Sequence, residues 1–246
     1  MSQIKLYTRN ILEDGTVTVT GDADTGYPES RLYDRDISFF WKYTAVGAIE
    51  IHVDQGATTN ESVDALFIPK HNFSGEDMTW QYSDDDAGWT PAVAGWNQGD
   101  NNAIEKLLSS AVTARYWKIT VSSMSNPQCS EIFMSYGYAF NFTFTNTPVF
   151  GGQPNVVWTE TVGGLERSTK LGNERRTRAY TVFLREAESE LTNWRAAMAD
   201  LDEYSLPFYF KDHEANYFMA RLLERPPEPY MTEGHLEVSI SVIEKL

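Results

Sequence analysis

The sequence predicts a mainly β protein with two domains: a β-sandwich or barrel in the first half, and a β-domain with one packed helix in the second. Three observations support this fold class. Short runs that alternate apolar and polar residues recur along the chain, as half-buried strands do. Clusters rich in Gly, Asn, Asp and Ser separate these runs and are typical of turns. Aromatic residues make up 13% of the 246 residues, a content that favours strands.

The first domain is predicted to span residues 1–140 and to contain six strands. These cover residues 16–20, 48–53, 63–69, 78–83, 114–122 and 132–138. In the fifth run Tyr116, Lys118 and Thr120 alternate with apolar residues, so we expect the two sets on opposite sides of the strand. Turns are predicted at 72–75, 84–88 and 95–102, and a short helical turn at 103–109.

The second domain is predicted to span residues 141–246 and to combine strands with a single helix. The strands cover residues 156–161, 177–184, 206–211, 217–223 and 235–243. The helix is predicted from about residue 186 to 203, because apolar residues recur there at helical spacing: Leu191, Trp194, Met198 and Leu201. Acidic residues in its first turn suit the helix dipole. Residues 163–176 are polar and basic, which predicts an exposed hairpin loop.

The chain is strongly acidic, with 20 Lys and Arg against 35 Asp and Glu and a formal net charge of −15. Residues 1–140 hold 9 basic and 19 acidic residues, so the acidity is concentrated in the first half. Such a surface repels phosphate and anionic lipid, so we expect neither nucleic acid nor a membrane as a partner. The single cysteine, Cys129, excludes an internal disulfide. The first residues lack the apolar core of a signal peptide, and we expect synthesis in a cytoplasm.

The sequence contains no recognisable catalytic motif. The four histidines do not have zinc-hydrolase spacing, and no G-x-S-x-G, Walker or G-x-G-x-x-G segment occurs. A carboxylate pair for glycoside hydrolysis needs a fixed separation across a cleft, which the sequence does not reveal. We therefore predict a protein that is not an enzyme and has no catalytic residues.

Two tryptophans in predicted turns, Trp89 and Trp96, are candidate sugar contacts. An indole ring can stack on the apolar face of a sugar in a pocket at the end of a sandwich. The alternative for both residues is packing against the core or a strand face. Trp80 lies on an alternating strand and is predicted to be in the core.

A basic run stands out in the acidic second half and is a candidate subunit interface. Its members are Arg167, Lys170, Arg175, Arg176 and Arg178. Such a loop could dock on an acidic face of a neighbouring copy or of another protein. The alternative is a solvated loop.

Several segments of the first half follow one order along the chain. They are a loop at Tyr27-Pro28, AIEIHVDQG (48–56), the strand at 63–69, YSDDDAGW (82–89), ARYWKIT (114–120) and Ser130-Glu131-Ile132. In this order they resemble the discoidin-type domains, also called factor 5/8 C-type domains. The resemblance implies a galactose-binding-like jelly roll and carbohydrate binding. The cysteine pair at the ends of many such domains is absent here.

The same resemblance implies a structural cation, because discoidin-like domains often hold one among their loops. Four acidic residues are the candidates for a calcium site: Asp22, Asp24, Asp34 and Asp36. The alternative is plain surface charge or capping. Residues 84–86 lack the spacing of an EF-hand loop and are better explained as a solvated turn. No other cofactor is predicted.

The second half resembles phage tail-tip proteins of the distal-tail or minor-tail type. The features are a basic hairpin at 174–178, the strand at 180–184, the helix after it, LPFYFKD (206–212) and a final strand with Glu244. The resemblance implies a tail-tube-like β-sandwich with one helix, assembled in rings such as hexamers. It predicts a structural component of a virion tail tip or baseplate, assembled in the host cytoplasm. Its partners would be copies of itself, neighbouring tail proteins and a host surface glycan. The alternative is a stand-alone carbohydrate-binding or adhesion module.

Overall fold

A computed structural model describes residues 3–20, 24–44, 46–57, 60–141, 149–160, 166–170, 172–185, 189–226 and 235–245. The chain divides into two compact units: unit 1 comprises Met1–Leu6 and Tyr138–Leu246, and unit 2 comprises Tyr7–Gly137. Both are built mainly of strands in antiparallel sheets, which confirms the predicted fold class. The predicted domains were 1–140 and 141–246. The structure instead groups the first residues with unit 1, because strand β1 (Ile4–Tyr7) is part of its sheet.

Unit 2 is a sandwich of two antiparallel sheets. Its strands are β2 (Thr16–Val19), β3 (Trp41–Lys42), β4 (Val46–Asp54), β5 (Ser62–Ile68), β6 (Glu76–Ser83), β7 (Thr90–Gln98), β8 (Ile104–Thr113), β9 (Tyr116–Ser125), β10 (Gln128–Cys129) and β11 (Phe133–Ser135). One sheet has the order β2-β4-β9-β6-β7 and the other β11-β5-β8, while β3 and β10 form a small pair. A short helix, α1 (Ile11–Asp14), precedes β2.

The core of unit 2 lies between these two sheets. On β4, Ile49, Ile51 and Val53 are buried, while the residues between them face outward. The alternation on β9 is the same, so Trp117 and its apolar neighbours meet residues of β5 across the sandwich. Trp80 and Trp117 are fully buried, with ring centroids 5.5 Å apart. Burying a large apolar side chain contributes roughly 1.5–3 kcal/mol, so these rings help to stabilise unit 2.

Unit 1 is a seven-stranded sheet with one packed helix. Its further strands are β12 (Gly137–Phe140), β13 (Val149–Gln153), β14 (Val156–Glu160), β15 (Glu166–Lys170), β16 (Arg175–Arg185), β17 (Phe208–Lys211), β18 (Tyr217–Leu222) and β19 (His235–Glu244). The sheet order is β12-β1-β17-β18-β19-β16-β13. Strands β14 and β15 form a separate two-stranded hairpin, with Trp158 opposite Ser168.

The helix of unit 1, α2 (Glu190–Asp200), packs its apolar face on the core as its spacing predicts. Leu191, Trp194 and Ala197 are buried, and the Trp194 ring meets Phe140 edge-to-face at 5.7 Å. The predicted start at 186–188 lies outside the described residues. At the other end the chain tightens into a 3-10 turn, Asp202–Tyr204. Within the described ranges, no helix is long and apolar enough to cross a membrane.

Two predictions in the first half need correction. The predicted turn at 95–102 starts later, at residue 99, because β7 continues to Gln98. The predicted helical turn at 103–109 is wrong, because the residues from Ile104 onward belong to β8. Residues 103–109 include helix-favouring residues such as Leu107. Pairing with β5 decides the conformation instead, since Leu107 lies opposite Ala65 and Ile104 opposite Ile68. Tertiary pairing overrides weak local propensity.

Candidate functional site

The outer side of the five-stranded sheet of unit 2 carries a cluster of rings and charges. Because strand residues alternate sides, the residues between the core positions of β4 and β9 face outward. The register places His52 opposite Lys118, and Asp54 opposite Tyr116. We name this cluster the His52 face; it comprises Glu50, His52, Asp54, Asp86, Trp89, Arg115, Tyr116 and Lys118.

His52 is at the centre of this face. Its Nε2 lies 2.9 Å from Oδ1 of Asp86, in the connection between β6 and β7. Its ring stacks on Tyr116 with centroids 5.7 Å apart and planes 28° apart. It meets Trp89 edge-to-face, also with a centroid distance of 5.7 Å. The imidazole therefore holds together two strands and the loop that presents Trp89.

Two cations lie against the rings, and each also contacts a carboxylate. Lys118 Nζ lies 4.0 Å from the centroid of the Trp89 ring and 3.5 Å from Oε2 of Glu50. Arg115 donates from Nε and from a terminal nitrogen to the two oxygens of Asp54, at 2.8 and 2.9 Å. These hydrogen bonds hold the pKa of Asp54 below its usual value.

The acidic loop that follows β6 shapes one side of the face. Oδ1 of Asp85 accepts hydrogen bonds from the N–H groups of Ala87 and Gly88, at 3.0 and 2.9 Å. With the Ser83 hydroxyl, these donors hold the pKa of Asp85 below its usual value, and the Gly88 N–H contributes most. Asp85 thus closes the turn, while Asp86, with φ of 61°, reaches His52.

Two carboxylates of the face keep an open oxygen. Asp86 uses Oδ1 for His52, and Glu50 uses Oε2 for Lys118. The other oxygen of each accepts no hydrogen bond from the described residues, and the two side chains are 49% and 45% exposed. Asp54 differs because Arg115 engages both of its oxygens. The face therefore offers fixed acceptors beside aromatic rings, an arrangement that suits a ligand with a ring and several polar hydrogens.

The two tryptophans predicted as sugar contacts lie at opposite ends of β7. Trp89 precedes the strand and belongs to the His52 face. Trp96 lies on the strand rather than in the predicted turn, because β7 pairs with β6 and places Trp96 opposite Met78. Its half-buried ring packs on the core and its Nε1 donates to Gln98 Oε1 at 3.3 Å. Lys106 Nζ lies 4.3 Å from the ring centroid. The structure does not bring the two tryptophans together.

The four acidic residues predicted to hold calcium are only partly described. Asp22 lies outside the described residues. Oδ1 of Asp34 accepts from the N–H of Asp36 at 2.9 Å, and Oδ1 of Asp36 accepts from the N–H of Ser38 at 3.1 Å. The backbone of Asp24 pairs with that of Lys42. Among the residues described, no group of three or more His, Cys, Asp or Glu could hold a metal ion. The calcium site remains a prediction.

The basic run predicted as an interface falls into two parts. Arg167 and Lys170 lie exposed on β15 of the hairpin. Arg176 donates to both oxygens of Glu244 at 3.1 and 2.9 Å. Arg178 Nε lies 3.4 Å from Oδ2 of the buried Asp212. The fifth member, Arg175, lies on β16 opposite Gln153 of β13.

Sequence reasoning missed most of the His52 face. The alternation in 48–53 and 114–122 indicated which residues share a side, and Trp89 was singled out for its ring. The register that joins the two strands and the contact between His52 and Asp86 depend on tertiary pairing, so no local signal indicated them.

No family model matches this chain, and no curated protein matches it. Several solved structures are similar. One is the chitosan-binding module 1 of a chitosanase/glucanase from Paenibacillus sp., 19% identical over 53% of this chain and 100% of that chain, with a TM-score of 0.45. Another is a family 32 carbohydrate-binding module from Clostridium perfringens, 18% identical over 52% of this chain and 100% of that chain, with a TM-score of 0.42.

A third similar structure is a GH29 fucosidase of Ruminococcus gnavus in complex with fucose. It is 22% identical over 53% of this chain, with a TM-score of 0.43. This chain spans only 27% of the fucosidase.

Proposed function

We propose that this protein binds glycans and that the His52 face of unit 2 is the binding surface. The observation that carries the proposal is the grouping of His52, Trp89 and Tyr116 with half-exposed carboxylates on an outward sheet face. Rings contact the C–H face of a sugar, and charged groups held in place bond its hydroxyls. Lys118 and Arg115 supply donors, and the open oxygens of Asp86 and Glu50 supply acceptors. The proposed role involves no catalysis.

A glycan array followed by titration calorimetry tests this proposal. We expect binding to at least one class of glycan. In Trp89→Ala and in Tyr116→Ala the affinity should fall roughly tenfold or more, because each variant loses one well-packed aromatic contact. Phe39→Ala is the matched control, because Phe39 is also an exposed ring of unit 2 with a cation, Arg31, 4.0 Å from its centroid. Equal affinity in all three variants would contradict the proposal, as would an array without binding.

A second candidate function is structural: assembly of the chain as a ring in the tail tip of a bacteriophage. The hairpin of β14 and β15 favours an assembly role. A two-stranded ribbon is marginally stable by itself in water, and Trp158 on this one is 68% exposed. Arg167 and Lys170 balance Glu160 and Glu166, so the hairpin is neutral in a chain of net charge −15 and approaches another copy without the repulsion that acts between the acidic parts of the chain. Head-to-tail contacts form a ring when the rotation from one copy to the next closes on itself.

In this proposal the protein is assembled in the host cytoplasm and resides in the virion tail, with neighbouring tail proteins as further partners. Size-exclusion chromatography with light scattering tests the ring. We expect an oligomer that Trp158→Ala dissociates, while Tyr204→Ala, an exposed ring elsewhere in unit 1, leaves it intact. A strictly monomeric protein would contradict the ring, and glycan binding by that monomer would favour a stand-alone binding module instead.

A further inference from the structure

The charges of the His52 face do not cancel. Asp54 and Arg115 satisfy each other through two hydrogen bonds at 2.8 and 2.9 Å. Lys118 has only one contact with Glu50, at 3.5 Å, and Asp86 contacts Nε2 of His52 at 2.9 Å. With histidine counted as neutral, the face has three carboxylates and two cations, and Asp84 and Asp85 precede Asp86 in the same loop. A ligand on this face therefore meets a negative potential, which disfavours an acidic glycan.

The rings of the face already hold positive groups. The Lys118 ammonium lies 4.0 Å from the centroid of Trp89, and the Arg115 guanidinium carbon lies 4.7 Å from that of Tyr116. An aromatic ring attracts a cation through its quadrupole, and the attraction grows when a carboxylate lies nearby. Both elements of ammonium recognition, a ring and a carboxylate, are thus present around Trp89.

We propose that the glycan recognised by the His52 face carries a protonated amine, as a 2-amino-2-deoxy sugar does. This inference rests on the proposed glycan-binding function. The open oxygens of Asp86 and Glu50 accept hydrogen bonds from the sugar ammonium, while Trp89 contacts the sugar ring. An N-acetylated sugar replaces the ammonium by a neutral amide and loses the charge-assisted hydrogen bonds, which are roughly twice as strong as neutral ones. A uronate places a carboxylate against Asp86 and is repelled.

Titration calorimetry of the full chain with three tetrasaccharides tests this preference: a glucosamine oligomer, its fully N-acetylated counterpart and a galacturonate oligomer. We expect the glucosamine oligomer to bind roughly tenfold more tightly than the acetylated one, the gain from one charge-assisted contact. Its affinity should fall with added salt, because the attraction between exposed charges is screened. The galacturonate oligomer should bind weakest.

Two variants locate the contact and one controls for the loss of charge. Asp86→Asn and Glu50→Gln should each reduce the preference for the amine several-fold, while Glu105→Gln, which removes an exposed carboxylate from β8 of the other sheet, should leave it unchanged. Equal or tighter binding of the acetylated or galacturonate oligomer would overturn this inference and leave the glycan-binding proposal standing. An unchanged preference in both face variants would also overturn it. An array without any glycan binding would overturn both proposals.

Discussion

Asn10 is expected to be among the polar residues that matter most for the stability of unit 2. Its side chain is fully buried and makes four hydrogen bonds. Nδ2 donates to Glu131 Oε1 at 3.1 Å and to the carbonyl of Ile132 at 2.8 Å. Oδ1 accepts from the N–H of Leu12 at 3.3 Å, which caps α1, and from that of Met134 at 3.1 Å. At a net contribution of about 1 kcal/mol per bond, Asn10→Ala should cost about 4 kcal/mol.

Urea unfolding followed by tryptophan fluorescence measures this cost. With an m-value of about 2 kcal/mol/M, the midpoint of the transition of unit 2 should fall by about 2 M. Asn97→Ala is the control, because Asn97 makes two amide hydrogen bonds from an exposed position of the same unit. It should cost less than about 1 kcal/mol, since water replaces exposed hydrogen bonds. A loss below about 1 kcal/mol in Asn10→Ala would refute the reasoning from burial.

Three further predictions concern buried groups. Burial raises the pKa of Glu131 in the folded state, so the folded protein holds this proton more tightly than the unfolded chain. The stabilisation from this proton is fully present below the ordinary pKa of 4.5 and is lost as pH rises. The urea midpoint of Glu131→Gln should therefore rise relative to wild type with increasing pH, whereas a constant difference would exclude this linkage. Cys129 should react with a thiol reagent only after unfolding, because burial raises the pKa of its thiol; rapid labelling of the native protein would argue against this. Arg178→Met should destabilise unit 1 by about 3 kcal/mol in urea titrations, because the fully buried Asp212 loses its cation. A loss under about 1 kcal/mol would show that the hydrogen bonds within the turn after β17 are enough to satisfy Asp212.

The alternating strands were the part of the fold that the sequence could predict. In residues 49–54 of β4 and 116–121 of β9 every second residue is apolar and buried, and this period alone separates core residues such as Ile51 and Trp117 from outward ones such as His52 and Lys118. The helix α2 was predictable for the same reason, because Leu191 and Trp194 recur at helical spacing. This periodic spacing depends only on residues that are close together in the chain, so the sequence alone shows which side of a strand or helix faces the core.

The errors arose where distant pairing decides the structure. β8 contains helix-favouring residues but pairs with β5, and Trp96 lies in a Gly- and Asn-rich stretch that β6 holds as a strand. β1 belongs to the sheet of unit 1, although the rest of that sheet starts 130 residues later, at Gly137 of β12. For the candidate site, the contact of His52 with Asp86 joins residues 34 positions apart.

A crystal structure of the protein with a bound oligosaccharide would test the central claim most directly. We expect a sugar ring in contact with Trp89 or Tyr116, and polar contacts to the open oxygens of Asp86 and Glu50. An oligosaccharide bound elsewhere on unit 2, for example at Trp96, with the His52 face empty, would contradict the account.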